Sequence, residues 1–255
     1  MRWACILLPR LALDGALRRC ADPQAPLALV SGGRQRRILH AVNPPARALG
    51  LRRGMALTAA QALVHGLATL DHDPAEEARW HRFLAAWAYR FSSQVNTRWP
   101  HALLVEIRGS LGLFGPWPRF EAQLREELRQ LGFAHRIVAA PNPVAARALA
   151  NAHDGLAVEA EAPLRRVLGQ LPVERAGFAP EAAAAFVRMG VRQLRQVMAL
   201  PRDGIARRFP AAVLRHLDEL TGAREVALDW YRPPDRFDQR IELGHETGSS
   251  QALLF

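Results

Sequence analysis

Arginine carries most of the chemistry legible in these 255 residues: all 34 basic side chains are arginine, and they outnumber the 24 carboxylates by ten. A surplus of that size attracts a polyanion, nucleic acid first and an anionic membrane surface less often, through counterion release and long-range steering. Arg192, Arg195, Arg202, Arg207 and Arg208 crowd one stretch. Together with backbone amides near Gly190 and Gly204 they form a candidate track for a phosphate backbone, a kind of contact that positions a protein without reading sequence. A solvated helix face is the plainer reading of any one of them. Other reactive side chains are sparse. Cys5 and Cys20 match no metal-ligand spacing and read as buried or idle thiols. His101 has no partner at ligand spacing, so neither a metal site nor a cofactor is expected.

The elements that must hold these residues follow from hydrophobic spacing. Residues 3–8 are an apolar run of strand length ended by Pro9, and 11–19 have helical spacing. Segments 27–30 and 36–42 predict a hairpin about Ser31-Gly32-Gly33. Two helices follow, at 46–49 and 58–63, with Gly50 and Gly54 as stop and turn between them and Thr58 as the cap of the second. Trp80, Phe83, Leu84, Trp87, Ala88 and Phe91 place a core-facing stripe on one long helix from 74 to about 95. A strand at 102–107, a glycine-rich segment at 109–115, a helix at 117–131, a strand at 136–139 and a helix at 143–151 complete an α+β domain with helices on one face of its sheet.

After Pro163 the spacing predicts helices alone, at 164–168, 180–189, 193–199, 203–209 and 211–221. Met189-Gly190-Val191 and Leu200-Pro201 separate them, a pattern that fits a helix-hairpin-helix or a plain helical bundle. Arg232-Pro233-Pro234-Asp235 reads as a linker before one candidate strand, 237–243. A lone strand makes no domain, so the chain is expected either to stop soon after entering a further domain or to fold its tail back on the body. No run of eighteen apolar residues exists, and the start is too short for a signal segment. A cytoplasmic protein with no membrane partner is the expectation.

Four segments in order resemble Y-family DNA polymerases: the hairpin with Gly32-Gly33; Asn43-Pro44-Pro45-Ala46-Arg47-Ala48-Leu49-Gly50-Leu51-Arg52-Arg53-Gly54-Met55; Gly109 to Gly115; and Ala140-Pro141-Asn142-Pro143-Val144-Ala145-Ala146-Arg147-Ala148-Leu149-Ala150. The segment from Met189 to Pro201 is similar to a phrase in that family's thumb. Pro44 stands where the family usually has tyrosine. The resemblance implies a palm-like sheet with helices (1–10 and 73–163), a small fingers-like part (11–72), an all-helical thumb-like part with a helix-hairpin-helix-like element (164–225), and a linker with the start of an incomplete little-finger-like domain (226–255). It also implies DNA as partner. Arg47, Arg53 and Arg147 correspond to the family's triphosphate region or lie beside it, and are expected to form a residual anion site.

Polymerases of this kind join nucleotides with two divalent ions held by hard oxygen ligands. The resemblance puts Leu7, His101 and Ala102 where the family supplies its acids, and Ala12 where it keeps a bulky sugar-discriminating residue. No catalytic residue is therefore expected. Glu106, four residues past Ala102, would be about 13 Å away at strand rise. Asp14 reads as an exposed residue of the first helix. A polymerase body without its acids resembles the ImuB-type subfamily, a non-catalytic member of a damage-inducible mutagenesis complex of bacteria, and that resemblance implies a nucleoid-associated protein. That subfamily's partners are a RecA-like accessory protein, an error-prone replicative-type polymerase and the sliding clamp. Gln251-Ala252-Leu253-Leu254-Phe255 is similar to a clamp-binding pentapeptide, and equally to the start of an amphipathic helix. The alternatives are an active polymerase with a rearranged site using Asp14, Glu106 or Asp71, and a protein-interaction module that kept the fold without DNA affinity.

Overall fold

A computed structural model of the chain describes residues 3–33 and 36–234. It opens with β1 (Trp3–Leu7), all five residues buried, and α1 (Leu11–Leu17). The hairpin β2 (Leu27–Ser31) and β3 (Ile38–Val42) is antiparallel as expected, although its connection spans 32–37 and is wider than a two-residue turn. Next come α2 (Pro44–Ala48) and α3 (Leu57–Leu63). Thr58 does not cap α3: the cap position is Ala56, and Thr58 lies inside the helix. A strand that the spacing did not suggest, β4 (Ala68–Asp71), then pairs parallel to β2 and completes a three-stranded sheet of order β3-β2-β4. It has an exposed, non-alternating sequence because it is an edge strand held by backbone pairing.

The second sheet is built from more distant parts of the chain. After α4 (Pro74–Tyr89) come β5 (Val95–Asn96), β6 (Ala102–Glu106), α5 (Leu111–Phe114), α6 (Trp117–Gln130), β7 (Arg136–Ala140) and α7 (Pro143–Ala150). Strand order is β5-β6-β1-β7, antiparallel throughout. Ala4, Ile6, Leu103, Val105 and Ile137 pack with Leu84 and Trp87 of α4 and Phe120 and Leu124 of α6. Cys5, Leu104 and Val138, on the opposite face, pack with Val144, Ala145 and Leu149 of α7. The sheet is thus covered on both faces, not on one as the sequence suggested. Physically, β1 and β6 are continuous apolar runs, the pattern of strands buried on both sides. Within the aromatic stripe Trp87 and Phe91 are core, whereas Phe83 is 44% exposed.

The remaining described helices are α8 (Glu161–Gly169), α9 (Pro180–Arg188), α10 (Leu194–Ala199), α11 (Arg202–Arg208) and α12 (Ala211–Thr221). Leu164, Phe186, Leu194, Val197, Leu217 and Leu220 join the same apolar cluster as α7 and its sheet face. These helices therefore dock on the sheet through a shared core. Residues 223–234 have no regular structure but are tied down: Trp230 stacks on Trp3, the Tyr231 amide donates to the Val95 carbonyl (2.7 Å), and Asn96 Nδ2 donates to the Asp229 carbonyl (2.6 Å). The candidate strand at 237–243 and the terminal pentapeptide lie outside the described residues. Among those described, no helix is long and apolar enough to cross a membrane.

Candidate functional site

The ends of β1 and β6 meet at one edge of the four-stranded sheet. Leu7 lies opposite Ala102 in register, and the Leu8 amide donates to the His101 carbonyl (2.7 Å). His101 makes the tight turn into β6 with φ of 58°, a left-handed conformation that few non-glycine residues adopt. Leu7 and Ala102 are 8% and 1% exposed. Beside them a cleft of about 340 Å³ is lined by Leu11, Glu77, His81, Arg98 and His101 among others. Ala12, half-buried, lies on the first helix nearby.

None of the three acids considered as substitutes converges on this edge. Glu106 pairs in register with Trp3, at the far end of β1 from Leu7. Its two oxygens accept from the Arg108 amide (2.9 Å) and the Gly109 amide (3.1 Å). Asp14 is not exposed, as its helix position suggested; it is 3% exposed and accepts from the Ala134 amide (2.7 Å), with Arg10 Nε 3.4 Å from its other oxygen. Burial raises its pKa to about 6 against those two favourable contacts. Asp71 stands at the end of β4, its side chain well exposed and paired with Arg37.

An acid that sequence spacing passed over does reach the edge. Glu77, in the first turn of α4, lies with Oε1 2.7 Å from His101 Nδ1 and Oε2 2.7 Å from His72 Nε2. His101 has no partner at ligand spacing in sequence, but the fold gives it one 24 residues away, where no local motif could reveal it. His72 in turn stacks on His40 with ring centroids 3.8 Å apart. Burial first, and then His72 and Arg53 nearby, lower the pKa of His40. His81 donates to the Ala102 carbonyl (3.0 Å), and burial lowers its pKa as well.

The arginines divide into two groups. Arg47 and Arg53 are exposed on the α2–α3 segment, and Arg147 is half-buried on α7, where it bonds Asn151 and its Nε is buried without a hydrogen bond. Arg147 faces Cys5, whose thiol burial pushes up to about 12, so that sulfur is inert at neutral pH. Arg192, Arg195, Arg207 and Arg208 are exposed on the α10–α11 stretch. Arg202 is exposed too, but a two-pronged bond to Asp218 (2.7 and 2.8 Å) occupies its guanidinium, so a phosphate must compete for it.

The amides behave unequally. Gly190, at φ of 80°, reverses the chain after α9 and spends its N–H on the Val187 carbonyl (2.9 Å). Next, the Val191 amide donates to the Phe186 carbonyl (3.0 Å), and those of Arg192 and Gln193 both donate to Gln196 Oε1. An amide site for phosphate near Gly190 is thus already filled from within the chain, which corrects the expectation there. Gly204 is in the first turn of α11, exposed and open on its Cα side, where helix amides have no intrahelical acceptor.

The two sheets with their helices and the helical region after them have the fold of Y-family DNA polymerases. The chain overlays on the crystal structure of DinB from Sulfolobus solfataricus with a TM-score of 0.69, at 15% identity, covering 90% of this chain and 69% of that one. It overlays as well on the insertion ternary complex of Dbh DNA polymerase (TM-score 0.69, 15% identity, 90% and 70% covered). The impB/mucB/samB family model matches residues 18–151, and the chain belongs to that family. Protein ImuB of Caulobacter vibrioides, from strains NA1000/CB15N and CB 15, is 33% identical over 193 residues, 76% of this chain and 42% of that protein. The chain thus spans about two-fifths of the length of these curated relatives.

Proposed function

We propose that this chain is a non-catalytic Y-family polymerase homologue that binds DNA and serves as a scaffold in a damage-inducible translesion complex. The observation that carries the reading is the edge of the four-stranded sheet. Leu7, His101 and Ala102 occupy it, and Asp14, Glu106 and Asp71 are each engaged elsewhere. Magnesium needs several oxygen ligands, and phosphoryl transfer needs two such ions; Glu77 alone, already shared between two imidazoles, supplies too few. In this reading the four-stranded sheet is the palm, the three-stranded one the fingers and α8–α12 the thumb. Residues 223–234 lead toward a little-finger-like domain.

The arginine surplus and the exposed Arg192, Arg195, Arg207 and Arg208 support DNA as the partner. A RecA-like accessory protein, an error-prone replicative-type polymerase and the sliding clamp are proposed by family likeness. The test pairs two measurements on the purified chain. Fluorescence anisotropy with primer-template DNA should report binding, and primer extension with magnesium or manganese should yield no product. Extension by a preparation free of other polymerases would replace this reading with an active enzyme; absence of DNA binding would leave a protein-interaction module.

A further inference from the structure

One nitrogen each of His40 and His72 and one oxygen of Glu77 lie within 4.8 Å of one another. They come from separate elements: His40 from the middle of β3, His72 from the residue after β4, and Glu77 from the first turn of α4. His101, in the turn before β6, adds a fourth donor 2.7 Å from Glu77 Oε1. That oxygen is buried and makes no hydrogen bond, so its approach to His101 is close but lacks bonding geometry. Imidazole nitrogens with one carboxylate are the donor set of zinc, whereas magnesium and calcium take oxygen. Three imidazoles thus gather about a single carboxylate, two of them stacked face to face.

We propose that His40, His72 and Glu77, with His101 or water in the fourth position, form a binding site for a zinc-class divalent cation that fastens the three-stranded sheet to the four-stranded one. The ion enters through the cleft lined by Glu77 and His101. The His40 and His72 planes are 10° from parallel, so their lone pairs do not now point at one spot. Binding therefore requires one ring to turn about its Cβ–Cγ bond, which the partial exposure of both residues permits. An ion here holds β3, β4, α4 and the His101 turn in one grip. Its ligands are too soft and too few in oxygen to replace the metal pair of a polymerase.

The test is zinc titration of the tag-free, EDTA-stripped 255-residue chain against a chromophoric chelator, with thermal unfolding in parallel. One equivalent should bind and raise Tm. Glu77→Gln and His72→Ala should each weaken binding by more than ~100-fold, beyond the ~10–100-fold that outer hydrogen-bond partners command. They should also abolish the zinc-dependent rise in Tm, while His153→Ala binds as the parent does. Should Glu77→Gln not fold, as judged by its melting in EDTA, His40→Ala carries the same expectation with a half-exposed ring removed. Less than one equivalent bound by the parent, or undiminished binding by the folded variants, would overturn the site.

Discussion

Asn43 is fully buried and polar, and its contacts explain why this side chain opens the motif that runs to Met55. Oδ1 accepts from the amides of Ala46 and Leu27 (both 3.0 Å), and Nδ2 donates to the Ala25 carbonyl (2.7 Å). One side chain thus caps α2 and clamps the start of β2. Asn43→Ala should cost roughly 2–4 kcal/mol in urea unfolding, the sum of a lost cap and of buried amides left without partners. Asp14 tests burial in another way. Its folded pKa of about 6 lies above the ordinary 3.8, so the folded chain holds this proton more tightly. The stability so gained is fully present below pH ~4 and is lost as pH rises through ~6, about 3 kcal/mol in all. Asp14→Asn, which can still accept from Ala134, should flatten unfolding free energy between pH 4 and 7 relative to the parent; an unchanged slope would mean that Asp14 is solvated. The sequence shows each of these residues but not its partner, because Ala134 and Leu27 are brought up by the fold.

At the scale of elements, α1 crosses α4 where Gly15 meets the indole of Trp80. A Cβ at Gly15 would lie 2.5 Å from Trp80 Nε1. Gly15→Ala should therefore destabilise despite alanine's better helix propensity, by about 1–2 kcal/mol net and a fall in Tm of roughly 2–8 °C by calorimetry. A rise in Tm would show that the helices separate freely. The longer helices were legible in sequence because apolar residues at 3.6 spacing mark a buried face wherever it packs, as in α6 and α12, although α4 stops at Tyr89, short of the expected 95, and α5 falls in the segment read only as glycine-rich. The short strands β4 and β5 were not, since backbone pairing with β2 and β6 defines them and their side chains show no alternation.

For the whole molecule the governing quantity is charge, ten arginines in excess of the carboxylates. If the exposed arginines of α10 and α11 lie along DNA, log affinity should fall steeply and linearly with log salt. Replacing Arg192, Arg195, Arg207 and Arg208 by alanine should then reduce that slope by about one for each phosphate contact removed. Arg202→Ala should change it less, because Asp218 already holds that side chain. A salt titration by anisotropy reads both, and a flat parent slope would argue against an electrostatic DNA interface.

Order and type of the longer elements, the arginine excess and the lack of acid at Leu7 and Ala102 are properties of the chain as written. They rest on local periodicity and on residue identity, and both survive without coordinates. Which groups meet is another matter. That Glu77 reaches His72 and His101, that Asp14 is buried against Ala134, and that Gln196 consumes the amides beside Gly190 depend on contacts between residues from three to 120 positions apart. Side-chain reach and chain direction at each turn decide such contacts, and only the folded packing sets both.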